Sequence, residues 1–104
     1  MNLFSDYQKK IFKSLKNLEK SKVINIPSDI KNIYLELPPK NQKGHLSSNI
    51  VMILAKINNQ EPLVLAEIIK KKLLSDFNEF ESIEIARQGF LNIFFSQSFW
   101  KKNL

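Results

Sequence analysis

The residues best suited to chemistry lie close together in Arg87-Gln88-Gly89-Phe90-Leu91-Asn92. A guanidinium, two amides and an aromatic ring at one turn are groups that recognise an unpaired RNA base, by stacking on its face and hydrogen-bonding its edge. The same run also fits a tight hairpin turn whose Phe90 packs on a neighbour, and residue types alone leave both readings open. Arg-x-Gly-Phe followed by alternating aromatics shares letters with the RNA-recognition-motif signature, but that fold's βαββαβ order is missing. Catalysis is poorly supplied. There is no cysteine, and the single histidine, His45, makes neither a triad nor a pair of metal ligands. In its loop, His45 reads as a surface or capping residue. Gly44 and Gly89 are the only glycines, too few for a Gly-rich phosphate loop. Glu79, Glu81 and Glu84 read as solubilising a strand edge. The sequence therefore assigns no catalytic residue and no metal ligand.

Composition bounds what else the chain can do. At 104 residues it is one domain, and 43% apolar residues with eight Phe support a core without disulfides. The net charge of +6 favours polyanionic partners. Of the 16 basic residues only Arg87 is arginine, and Asn and Ile are abundant, the signature of an AT-rich genome. The lysine surplus is then partly mutational, while Arg87 gains weight, because guanidinium and ammonium differ at phosphates and base edges. No apolar run approaches the ~18 residues of a membrane span, and Asp6 with neighbouring lysines interrupts any signal-peptide core. A soluble, intracellular, basic domain is expected.

The elements that must position the turn follow from periodicity. Asn2 to about Lys20 carries Phe4, Tyr7, Ile11, Leu15 and Leu18 on one helical face and Lys9, Lys13, Lys16 and Lys20 on another. That lysine stripe reads as a solvated face, with a phosphate rail as the alternative. Ile33 to Leu37 alternates as a half-buried strand between Pro27 and Pro38-Pro39. Ser47 or Ser48 can cap a second helix to about Ile57. Its Ile50, Val51, Ile53, Leu54 and Ile57 surround much of the axis and predict deep burial. Pro62 opens a third helix to about Leu74, with Lys70-Lys71-Lys72 at its negative C-terminal end. Ser82–Ala86 and Phe90–Phe95 alternate about the 87–89 turn as a hairpin. Leu91, Ile93 and Phe95 share one face of it, and Phe90, Asn92 and Phe94 the other. Ser96-Gln97-Ser98 caps a last helix that Leu104 cuts short, as in a piece of a longer protein.

Two motifs carry a resemblance across essentially the whole chain. Gly44-His45-Leu46-Ser47-Ser48-Asn49, then a helix ending Leu54-Ala55-Lys56, is similar to Gly-Asp-aromatic-Ala-Ser/Thr-Asn with its Leu-Ala-Lys helix. Ala86-Arg87-Gln88-Gly89-Phe90-Leu91-Asn92 is similar to Ala-Gly-Pro-Gly-Phe-Ile/Leu-Asn. Together they resemble the N-terminal additional domain of bacterial arginyl-tRNA synthetases. The departures are His45 for Asp, and Arg87 and Gln88 for Gly-Pro. The resemblance implies a two-layer α+β fold, a four-stranded antiparallel sheet with helices on one face, in the order α-β-β-α-(α)-β-β. A short strand near Gly44–Ser47 must then supply the fourth strand. It further implies that residues 1–95 form the domain and that 96–104 start a linker helix toward a catalytic domain of the same chain. The implied partner is the D-loop of tRNA(Arg), with Phe90 stacking on a base, Asn92 bonding a base edge, and Arg87 with Gln88 contacting from the turn. The parent enzyme would be cytoplasmic and monomeric, joining arginine to tRNA with ATP and magnesium, while this piece carries no catalytic residue and holds no cofactor. A stand-alone RNA-binding domain and a protein-docking domain are the alternatives.

Overall fold

The computed structural model describes residues 3–22, 24–26, 35–36, 45–86 and 89–103. Helix α1, Leu3–Lys20, turns its apolar stripe inward as the 3.6-residue period requires. Tyr7, Ile11 and Leu15 are buried and Leu18 is half-buried, while the side chain of Phe4 lies outside the described set. On the lysine face Lys9, Lys13 and Lys20 are exposed, but Lys16 is structural. Its ammonium donates to the Ile26 carbonyl at 3.1 Å and pairs with Glu19 at 3.4 Å. Glu19 accepts from the Ile26 amide at 2.6 Å. That amide first, and Lys16 second, hold its carboxyl below the ordinary range. The segment 24–26 is thereby tied to α1.

The chain continues as β1 (Leu35–Glu36), β2 (Leu46–Ser48), α2 (Ile50–Asn58), α3 (Pro62–Asp76), β3 (Phe80–Ile85), β4 (Leu91–Phe95) and α4 (Gln97–Asn103). The fold is α+β, with β4 paired antiparallel between β2 and β3. Leu35–Glu36 adds a two-residue antiparallel pairing to the outer side of β2. The remaining residues expected in that strand, 33, 34 and 37, lie outside the described set. Leu46, Ile93 and Ile83 form one cross-strand row, Ser47, Asn92 and Glu84 the next, and Ser48, Leu91 and Ile85 a third. Side chains alternate between faces, so the first and third rows turn to the core and the middle row to the opposite face. Leu46, Ile83, Leu91 and Ile93 are accordingly buried.

Strand β3 begins at Phe80, two residues before the expected start. A bulge between Phe80 and Ser82 explains the discrepancy. The extra residue, Glu81, stays exposed, and Phe80 falls opposite Phe95 on the core side. There Phe80, Phe95, Phe77, Tyr7 and Phe99 assemble into an aromatic cluster. Phe77 stacks on Phe80 and Phe95 on Phe99, each at 4.7 Å, with Tyr7 edge-on to Phe95 at 5.1 Å. Glu79, expected as a solubilising edge residue, instead accepts from the Tyr7 hydroxyl at 2.6 Å. The Ser96 hydroxyl takes the Phe99 amide at 3.3 Å and caps α4 as its type predicts.

The middle helices also shift from expectation. Ser47 and Ser48 belong to β2, and the N-cap position of α2 is Asn49, although the Ser48 hydroxyl still accepts from the Ile50 amide at 3.2 Å. Asn59, in the left-handed region at φ 51°, ends α2. Just before it, Asn58 exchanges two hydrogen bonds with the backbone of Asn25, at 2.7 and 3.0 Å. Pro62 opens α3 as predicted, but the helix runs on to Asp76. Lys70–Lys72 therefore lie a turn inside its end. Lys72 pairs with Asp76 at 2.8 Å, and Asp76 also accepts from Ser14 at 2.5 Å, joining α3 to α1. Lys72 first and Ser14 second hold the Asp76 carboxyl below its ordinary range. The deep burial expected for α2 holds on one side alone: Ile50, Val51, Leu54 and Ala55 are buried, Ile53 is half-buried, and Ile57 is 43% exposed.

Candidate nucleic-acid interface

The hairpin between β3 and β4 is closed by backbone bonds alone among the described residues. The Ala86 amide donates to the Phe90 carbonyl at 2.7 Å, and the Gly89 amide to the Ala86 carbonyl at 3.1 Å. Gly89 has φ +94°, a conformation that side chains with a Cβ rarely adopt. It is also pressed against two helices. A Cβ at this position would lie 3.1 Å from Val51 Cγ1 and 3.3 Å from Pro62 Cβ. Glycine is needed here twice over, for the turn and for the close approach to α2 and α3. Arg87 and Gln88 lie outside the described residues.

Phe90 follows directly and is half-buried. It forms one wall of a groove of about 160 Å³, whose other lining residues are Asn49, Met52, Ile53 and Lys56. These four come from the start and one side of α2, at spacings of 3, 1 and 3 that a helix brings onto one face. The groove meets a wider one of about 440 Å³, lined by Met52, Ala55, Lys56, Asn59, Gln60 and Pro62. Among the described residues, no carboxylate lines either groove. Apolar walls, amides and one ammonium suit a flat, polar-edged, anionic ligand.

Asn92 shares the strand face of Phe90 but is only 3% exposed, in the row between Ser47 and Glu84. The structure thus places Phe90 at an open groove and Asn92 beneath the surface of the sheet. Sequence reasoning had no role for Asn49 or Lys56 at this site. Their signal was the period of α2, whose Met52 and Ile53 fall on the Lys56 side rather than the core side.

His45 stands at the opposite end of the β2–β4 pairing. Its backbone amide donates to the Ile93 carbonyl at 2.8 Å, and its Nδ1 accepts from the Phe95 amide at 2.9 Å. An Nδ1 acceptor puts the ring proton on Nε2 in the neutral imidazole. The ring also stacks on Phe95 at 6.0 Å. His45 is thus a structural acceptor that extends the strand ladder, and a carboxylate at the same position could take the same amide.

Among the described residues, no group of three or more His, Cys, Asp or Glu could hold a metal ion, and no helix is long and apolar enough to cross a membrane. Comparison with known proteins places the chain in a family. Residues 5–95 match the family model described as the arginyl tRNA synthetase N terminal domain. The chain is 32% identical to an arginine–tRNA ligase of Pelagibacter ubique, covering 96% of this chain and 17% of the relative. It is 38% identical to that of Bartonella henselae, covering 97% and 17%, and 33% identical to that of Sinorhizobium medicae, covering 100% and 18%. The chain therefore spans less than a fifth of the length of these relatives. By the extent of the family match and by these relatives, the chain belongs to the arginyl-tRNA synthetase N-terminal domain family.

Proposed function

We propose that this domain is a tRNA-binding module of an arginine–tRNA ligase and that it contacts the D-loop of tRNA(Arg). The observation that carries the reading is Phe90, held half-exposed at the lip of a groove with no carboxylate among its described lining residues, by a turn that Gly89 pins against α2 and α3. An unpaired D-loop base would stack on the Phe90 ring. Asn92, two residues along on the same strand face and only 3% exposed before a ligand is seated, would bond the base edge, with Arg87 and Gln88 contacting base or phosphate from the turn. The ATP, magnesium and arginine chemistry belongs, in this reading, to the catalytic part of a longer cytoplasmic, monomeric chain. Residues 1–95 would be the tRNA-binding domain and residues 96–104 would lead toward that catalytic part. The sheet would be a full four-stranded one with the helices on one face, in the order α-β-β-α-(α)-β-β, β1 being its fourth strand.

The test is Phe90→Ala in a full-length arginine–tRNA ligase that carries this domain. Removing a stacking platform costs about 1–3 kcal/mol, so tRNA use should fall by roughly one to two decades while ATP and arginine binding stay unchanged. An unchanged KM for tRNA together with an unchanged turnover overturns the assignment.

A further inference from the structure

The groove beside Phe90 has two walls, and the hairpin supplies one of them. Helix α2 supplies the other through Asn49, Met52, Ile53 and Lys56. This helix carries more apolar residues than the core uses. Met52 and Ile53 are half-buried against the groove, and Ile57 is 43% exposed. A helix that is apolar nearly all round is ordinarily buried all round, so the unburied side marks a surface that something else covers. What covers it is indicated by charge. Among the described residues, neither this groove nor the wider one adjoining it is lined by a carboxylate, and both are lined by the exposed Lys56. Lys16 and Lys72, by contrast, are engaged by Glu19 and Asp76. No ion pair among the described residues engages Lys56.

We propose that Lys56 is a phosphate-binding residue, holding the backbone of the nucleotide whose base stacks on Phe90, with Met52 and Ile53 as the apolar floor between them. The inference rests on reading Phe90 as an RNA contact and adds a second anchor from a different element. A nucleotide joins a flat face of low polarity to an anionic phosphate, and the groove offers the complementary pair in the same order. An ammonium on a flexible stem serves a phosphate as a point charge, without the fixed geometry of a guanidinium. The aromatic wall would choose an unpaired nucleotide, and Lys56 would fix its backbone.

The experiment measures tRNA affinity against salt concentration for a full-length ligase carrying the domain. A lost phosphate contact weakens binding and lowers the salt slope by about 0.7 to 1. Lys56→Gln should therefore weaken binding about three- to tenfold with that fall in slope, and Lys56→Arg should restore both. Lys71→Gln, an exposed lysine on α3, should leave the slope within half of that change. Phe90→Ala should weaken binding with the slope intact, and tRNA carrying an abasic nucleotide at the stacked position should reproduce its effect even if that variant folds poorly. If Phe90→Ala and the abasic tRNA weaken binding while Lys56→Gln changes neither affinity nor slope, the Lys56 assignment fails and the RNA reading stands. Equal slope changes for Lys56→Gln and Lys71→Gln also overturn it, by reducing the effect to general charge. If neither Phe90→Ala nor the abasic tRNA changes affinity, the RNA reading fails and the Lys56 proposal falls with it.

Discussion

Strand β4 is five residues long, about 17 Å, and one phenylalanine stands just before its start and another at its end, under opposite conditions. Phe95 is 1% exposed. It meets Tyr7 from α1, Phe80 from β3 and Phe99 from α4, and its amide is taken by the His45 ring before β2. Phe90 is half-buried beside α2, in no ring pair among the described residues, and its groove is open to solvent. The chemistry of the two side chains is identical. The difference lies in how many elements converge on each ring. At the Phe95 end four elements close over it, and the ring contributes stability. At the Phe90 end Gly89 draws the turn against α2 and α3 and leaves the following ring half uncovered, where it can serve as a binding surface.

The largest effects should come from the closed end. Phe95→Ala removes the ring shared by all these aromatic pairs, and truncation of a buried Phe costs about 3–5 kcal/mol. Chemical denaturation should read a loss in that range, with a melting temperature lower by roughly 10 °C or more for a domain of this size. A loss under 1 kcal/mol would show that the end is not closed in solution. Next in size is Gly89→Ala, at the open end. Its φ of +94° and the 3.1 Å approach to Val51 Cγ1 combine backbone strain with a contact tight enough that the neighbour must give way by a few tenths of an ångström. Each such strained position costs on the order of 1–3 kcal/mol. This variant should lose both stability and tRNA binding, because the turn that carries Phe90 must move. Loss of stability with full binding would break the link between the glycine and the groove.

Much of the frame was legible because it depends on local periodicity. The stripe of α1, the proline at the start of α3, the serine before α4 and the alternation of β4 each involve residues within a turn or two of one another. Class and elements follow from such patterns. What was not legible required partners distant in sequence. Tyr7 and Glu79 are 72 positions apart, and nothing near Glu79 marks it as the acceptor of a buried hydroxyl. His45 and Phe95 are 50 apart. The bulge at Glu81 was hidden because Ser82–Ala86 alternates cleanly and conceals the two residues before it. At the candidate site, Gly89 and Phe90 stood out by type, but the α2 wall did not. Ile53 and Ile57 look like core residues until the helix is rotated against the sheet. Lys16 and Lys56 are indistinguishable in sequence, yet one is bound to a carbonyl and a carboxylate and the other borders a groove.

The Tyr7 hydroxyl gives a smaller and pH-dependent way to sharpen the comparison. Burial first, and then the bond and charge of Glu79, push the Tyr7 phenol well above its usual value near 10. The folded state therefore keeps the proton while the unfolded chain releases it. The stabilisation is complete below the unfolded value, near pH 10, and is lost as pH rises from there through the raised folded value. Tyr7→Phe should cost about 1 kcal/mol at neutral pH through the lost hydrogen bond, with Glu79 still able to reach water. Its stability should then decline less steeply than that of the parent above about pH 10. Parallel alkaline decline in the two proteins would mean that the phenol is not held neutral by the closed end.

Phe90→Ala should have the smallest effect on folding, and for that reason it discriminates most sharply between the ends. The ring is half-buried, lines a groove with residues of α2 and joins no aromatic pair among the described residues, so its truncation should cost roughly 1 kcal/mol or less. In the denaturation series that reads 3–5 kcal/mol for Phe95→Ala, the two alanine variants should differ by at least about 2 kcal/mol. Binding should rank them the other way when both are measured at a temperature where each is folded: Phe90→Ala weakens tRNA affinity, and Phe95→Ala leaves it nearly unchanged. If the two variants were to lose stability equally, Phe90 would be a core residue with an exposed edge. A ring needed that much for folding could not be assigned to the ligand, and the groove would be a by-product of packing at the hairpin.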